Sequence, residues 1–153
     1  MRYWLMKSEP DDVSIDDLAA MPEQTVAWYG VRGYQARNFM RDQMQVGDGV
    51  LFYHSSCAEP GIAGLAVVAR QAYPDATQFD KSSKSYDAKA SRENPRWFNA
   101  DVRLTRKTRL LGLKEMRDHP ELAAMRVLRK GNRLSITPVD PHEWQFIIKL
   151  LGA

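Results

Sequence analysis

Val50-Leu51-Phe52-Tyr53, followed after a polar stretch by Ile62-Ala63-Gly64-Leu65-Ala66-Val67-Val68-Ala69, is the part of the chain that decides the fold. The first run has the apolar content of a buried strand. The second is nearly all small or branched apolar residues, the pattern of a strand covered on both faces. Joined through residues 54–61, the two make a hairpin. Val46-Gly47-Asp48-Gly49 reads as the turn that leads into it.

On the N-terminal side, Arg2 to Lys7 is an aromatic-rich strand that ends at Ser8-Glu9-Pro10, because proline cannot continue a ladder. A short helix follows, with Ser14 as N-cap, Asp17 as capping-box partner, and Ile15 and Leu18 buried. Gln24 to Trp28 forms a second short strand. After Gly33 the repeat of Ala36, Phe39, Met40 and Met44 predicts a helix to about Met44, with Gln35, Arg37, Asn38 and Arg41 on its polar side. On the C-terminal side, Phe98, Ala100, Val102 and Leu104 alternate with Trp97, Asn99, Asp101 and Arg103, so one face is core and Trp97 falls on the polar face. Leu113 to Met125 gives one or two short helices broken at His119-Pro120, and Arg129 to Arg133 turns into a short strand, Leu134-Ser135-Ile136. Asp140, Pro141 and Glu143 start a last helix with Trp144, Ile147, Ile148 and Leu151 as its buried stripe. This order of elements is α+β: a small mixed barrel decorated with helices, in a single domain over residues 1–153.

A content of 44% hydrophobic and 27% charged residues is that of a soluble globular protein. No run is long enough to span a bilayer, and the apolar part of Met1 to Lys7 is too short for a signal peptide, so the cytoplasm is the expected location. Cys57 is the single cysteine, which excludes an internal disulfide and a thiolate-rich zinc site. His54, His119 and His142 lack metal-ligand spacing; neither a metal nor a cofactor is expected. The net charge of +3 is modest, but Val102–Arg109 and Arg126–Arg133 carry four basic residues each and no acid. Two such blocks describe either a basic face for phosphate or an ordinary solvated surface.

Trp28 to Asn38 concentrates the candidate chemistry. Trp28, Tyr29 and Tyr34 offer aromatic faces, Arg32 and Arg37 guanidinium groups, Gln35 and Asn38 amide edges, and Gly30 and Gly33 let backbone approach a ligand. That mixture suits a planar, hydrogen-bonding ligand such as a nucleic-acid base. The competing reading makes Trp28 and Tyr34 core residues and the arginines solvated. In the pocket reading Trp28 forms one wall, Trp97 or Tyr86 the other, and Lys7, Ser8, Tyr53, His54 and Ser55 lie at strand ends nearby. Arg37, Arg103, Arg129, Lys130, Asn132 and Arg133 are the candidate phosphate contacts. Pro74 to Pro95, long and polar, reads as a mobile lid carrying Tyr86. Two rival classes use the same region: a hydrolase or nuclease built on Tyr53, His54, Lys7 or Glu9, and a small-molecule sensor. No paired carboxylates with a metal motif and no Ser-His-Asp order support the enzyme, so binding without catalysis is the expectation.

Tyr3-Trp4-Leu5-Met6-Lys7-Ser8-Glu9-Pro10, Trp28 to Asn38, Val50 to Ser55, Asn94-Pro95-Arg96-Trp97-Phe98 and Arg129 to Thr137 together closely resemble the EVE domain family, which includes bacterial stand-alone proteins and a nuclear protein of animals. The resemblance spans essentially the whole chain. It implies a PUA-like pseudo-barrel related to the YTH domains, and a partner that is modified DNA or RNA, with one base, such as a modified cytosine, held in a pocket of a monomer. Trp28 looks like a tryptophan of the YTH aromatic cage, and Tyr86 corresponds to an aromatic residue of its long loop. Gly33 departs from the family pattern, where asparagine is usual, and so removes a polar contact.

Overall fold

The computed structural model describes residues 1–153. Six strands form one mixed sheet in the order β2-β5-β4-β3-β1-β6. They are β1 (Tyr3–Ser8), β2 (Thr25–Ala27), β3 (Gly49–His54), β4 (Gly61–Pro74), β5 (Phe98–Gly112) and β6 (Ile136–Val139). The expected hairpin is β3–β4, pairing Val50 with Ala66 and Leu51 with Leu65. β1 lies parallel to β3; every other neighbouring pair is antiparallel.

Alternation along the strands creates two apolar faces. Trp4 and Met6 of β1 and Val50 and Phe52 of β3 point one way, Leu5, Leu51 and Tyr53 the other. The first set shares a core with residues from all six strands, including Val26 of β2 and Ile136 of β6. Those two strands are the opposite, unpaired edges of the sheet. Edges that are far apart in the hydrogen-bond order meet in one core only if the sheet curls, so the architecture is a PUA-like pseudo-barrel left open between β2 and β6. On the outer face the second core lies under α3 (Leu113–Arg117) and α4 (Pro141–Leu150), with Met116 and Ile147 fully buried.

Several elements depart from expectation for identifiable reasons. β4 and β5 run well past their apolar segments, with register shifts at four points that bend and twist the pair. β6 starts two residues later than predicted and holds Pro138, which an edge strand tolerates. The helix after Gly33 is α2 (Tyr34–Asn38) followed by a π-helical turn, Phe39–Gln43, closed by Met44 N–H to Phe39 O at 2.9 Å. Its stripe is kept: Ala36, Met40 and Met44 are buried. Helix α1 (Ile15–Ala20) has the predicted Ser14–Asp17 capping box. Trp144 is partly buried: it packs against the outer core together with Tyr3, on which it stacks at 4.5 Å. Gly49 lies against both rings and has no room for a Cβ: one would lie 2.7 Å from the Trp144 ring and 2.8 Å from that of Tyr3. Asp48, expected as a plain turn residue, is buried and accepts from the Arg2 and Gln45 amides and the Trp4 indole N–H.

Candidate nucleic-acid interface

The opening between the two sheet edges is a cavity of about 230 Å³. From β1 and its exit come Lys7, Ser8 and Glu9; from β2 and the segment after it come Trp28, Tyr29 and Arg32; Ser135, just before β6, closes the rim. Five of the predicted ligand residues therefore converge: Lys7, Ser8, Trp28, Tyr29 and Arg32. The volume equals about eight water molecules at liquid density, enough for one pyrimidine base.

Each wall has a structural cause. Trp28 continues β2 by donating its N–H to Ala100 O at 2.8 Å, and its ring packs edge-on against Phe52 at 5.5 Å. It is 8% exposed, and that remaining surface looks into the cavity. Core packing and pocket wall, posed as alternatives by the sequence, are thus both true of this residue. Tyr29 is 48% exposed, so an apolar ring stands at the mouth. Lys7 forms no ion pair, and burial lowers its pKa below the usual lysine value. Glu9 and Asp12 also line the cavity, but neither is ion-paired with the Lys7 ammonium. Ser8 spends its hydroxyl proton on Val13 O at 2.6 Å and keeps lone pairs for a donor.

The loop that carries Tyr29 to Arg32 is held from behind by Asp75. Fully buried, this carboxylate accepts from Gly30 N–H at 2.7 Å, from Arg32 at 3.2 Å, and from both the amide and the hydroxyl of Thr77. Burial alone would raise its pKa, but these hydrogen bonds outweigh it and the pKa falls below the ordinary aspartate value. Gly30 sits at φ +80°, a conformation that a side chain at this tight bend would strain. Arg32 also donates to Ser85 O at 2.6 Å, so its guanidinium is fixed between cavity and loop.

Other predicted residues lie elsewhere. Tyr53 points into the outer core, 3% exposed, and burial raises its pKa. His54 accepts the Ile15 N–H through Nε2 at 3.1 Å, serving the start of α1, and burial lowers its pKa. The general base of the enzymatic rival is thereby occupied. Ser55 donates its amide to Ser8 O behind the pocket. Gln35 is exposed on α2, and Asn38 accepts from Arg37 and Arg41. Gly33 has open space where a side chain would stand.

Trp97 is buried, not on an open polar face, and does not line the cavity. It stacks against Tyr34 at 5.2 Å and lies under Arg32 at 5.2 Å, with its indole N–H donated to Asp87 at 2.7 Å. Tyr86 is 39% exposed on the neighbouring loop and is likewise outside the cavity lining. The opposite wall expected from Trp97 or Tyr86 is instead supplied by Lys7, Ser8 and Ser135.

Of the basic residues, Arg103 is exposed on β5 opposite Thr25, while Lys107 pairs with Asp16 and Arg109 with Glu115. Arg129, Lys130 and Arg133 are exposed without ion pairs, on the segment that leads to Ser135. Asn132 braces that turn, donating to Arg126 O and accepting from Leu134 N–H. Arg37 donates to Arg96 O at 3.0 Å beside Tyr34. Asp140, His142 and Glu143 bring ligand-type atoms within 4.8 Å of one another, but Glu143 accepts the Asp140 amide as part of the start of α4. No helix is long and apolar enough to cross a membrane.

Known proteins are similar to this chain over nearly its whole length. Human thymocyte nuclear protein 1 is 44% identical over 97% of this chain and 73% of its own length. The crystal structure of human THYN1 protein in complex with 5-methylcytosine-containing DNA superposes with a TM-score of 0.93 at 42% identity, covering 100% of this chain and 99% of that one. A Pseudomonas putida protein reaches a TM-score of 0.91 at 47% identity, covering 97% and 98%. Residues 2–150 match the EVE domain. The chain belongs to the EVE domain family.

Proposed function

We propose that this protein binds nucleic acid and takes a single modified base into the cavity between β1 and β2, with the exposed Arg129–Arg133 segment on neighbouring phosphates. The observation that carries it is the pocket itself: base-sized, walled by Trp28, and holding the unpaired Lys7 ammonium at the gap of the curled sheet. A relative of the same fold crystallised with 5-methylcytosine-containing DNA supports modified cytosine as the base. Extracting a base costs a few kcal/mol; one aromatic stack returns about 1–3 kcal/mol, so phosphate contacts must contribute the rest. Binding without turnover is part of the proposal, supported by the engagement of His54 in holding α1. A cytoplasmic location belongs to it as well.

The test is equilibrium binding of matched DNA and RNA oligonucleotides with one 5-methylcytosine or one cytosine at the same position. Trp28→Phe and Lys7→Met should each reduce the preference for the modified strand while the fold persists. Equal affinity for both strands in the unmutated protein would contradict the reading. Trp28→Ala is the wrong probe, since emptying so buried a site costs about 3–5 kcal/mol of stability.

A further inference from the structure

Beside the cavity, Tyr34, Trp97 and Arg37 form a nearly equilateral group: the two rings are 5.2 Å apart, and the Arg37 guanidinium lies 4.9 Å from the first and 5.5 Å from the second. Trp97 covers one face of Tyr34. Arg37 cannot be on the other face, because a group there would be nearly twice as far from Trp97 as it is. Arg96 reaches Tyr34 only at the hydroxyl, at 2.8 Å. The outer face of Tyr34 is therefore open, and the residue is 55% exposed. Trp97, Arg37 and Arg96 fix the orientation of the ring from one side, and the other side is presented to solvent.

The charge around it is also unbalanced. Arg32 pairs with Asp75, Arg41 with Asp42 and Arg96 with Asp87, whereas Arg37 has no carboxylate partner. Partial burial and the guanidinium groups of Arg41 and Arg96 lower its pKa, as expected where cations are crowded without enough acids. Arg32 connects this cluster to the cavity, since it lines the pocket and lies over Trp97. Two spacings of 5.2 Å separate its guanidinium from the Tyr34 ring. A nucleic-acid strand advances about 3.4 Å per stacked nucleotide and more when splayed, so the platform is within about three nucleotides of the pocket.

We infer that the open face of Tyr34 is a second subsite, on which a base flanking the one in the cavity stacks while Arg37 meets its phosphate. The inference rests on the base-pocket reading for its register but has its own signature. Stacking on a bare ring is tolerant of base identity, so this subsite supplies affinity and no preference for the modification. Tyr34→Ala should weaken binding of modified and unmodified oligonucleotides alike, by about tenfold, leaving their ratio unchanged. Tyr34→Phe, which keeps the ring and loses only the bond to Arg96, should bind as the unmutated protein does.

The deciding experiment combines Tyr34→Ala with oligonucleotides carrying one abasic nucleotide at each of the three positions on either side of the modified base. At one of those positions the missing base should weaken the unmutated protein about as much as Tyr34→Ala does, and should cost Tyr34→Ala nothing further. Additive losses at every position would overturn the inference, as would a Tyr34→Ala change in the modified-to-unmodified ratio. Absence of any preference in the unmutated protein would count against the base pocket instead, and the abasic comparison would still read Tyr34 directly.

Discussion

His54 shows how a residue's chemistry is fixed by one neighbour. Its Nε2 accepts the Ile15 amide, which only the neutral ring can do, and burial lowers its pKa from the ordinary histidine value. A group with a depressed folded pKa contributes stability that is present above its unfolded pKa and is lost as pH falls through the folded one. Unfolding measured against pH should therefore show stability declining as the solution is acidified below about 6.5, and His54→Gln should remove part of that decline. An identical pH profile for the variant would mean the hydrogen bond to Ile15 has no thermodynamic weight. The sequence placed His54 at a strand end, where it is, but could not say that its lone pair serves a helix start thirty-nine residues earlier in the chain. Trp28 was legible as a special residue for its glycine and arginine company; that it faces core and cavity at once depends on curvature that no local pattern encodes.

At the scale of elements, the Pro74–Pro95 segment differs most from its composition. Polar and long, it reads as a lid that orders on binding, yet fully buried Gln78 fastens it: its amide donates to Asp75 O and Trp97 O and accepts from the Arg96 and Trp97 amides. Asp87 adds a second tie, with its N–H on Gln78 O and its carboxylate on the Trp97 indole. Hydrogen exchange without oligonucleotide should find the Asp87 and Trp97 amides protected, with exchange concentrated in the exposed residues between these ties. Rapid exchange of Asp87 and Trp97 that slows only when nucleic acid is added would restore the lid. Composition gives no sign of these ties, because one buried glutamine making four hydrogen bonds fastens a segment that has no apolar pattern of its own. The strands, by contrast, were readable wherever burial imposed alternation, and β6 was placed too early because the Leu134 amide turns back to the Asn132 side chain and Ser135 offers β1 only its carbonyl, to Lys7 N–H at 2.8 Å.

For the molecule as a whole, the curl of the sheet is what makes a site. β2 and β1 are separated by three strands in the hydrogen-bond order, yet Trp28 and Lys7 share one cavity. Net charge says little about where phosphate would lie, whereas pairing does: Lys107 and Arg109 are neutralised by Asp16 and Glu115, and Arg129 and Arg133 are free. Replacing Arg129 or Arg133 with alanine should reduce the slope of log affinity against log salt by about 1 for each residue in contact with phosphate. The corresponding changes at Lys107 and Arg109 should leave the slope nearly as it was. Equal effects from both pairs would show that the two basic blocks act as a diffuse field and not as a defined rim. Entry of a base into the cavity beside Trp28 is the contact that matters most, and a zero-length photocrosslink reports it directly. An oligonucleotide with 5-iodocytosine at the recognised position, irradiated in complex and analysed by peptide mass spectrometry, should crosslink to the peptide containing Trp28 and Tyr29. Crosslinking confined to Tyr34, Tyr86 or the outer face around Trp144 would contradict it.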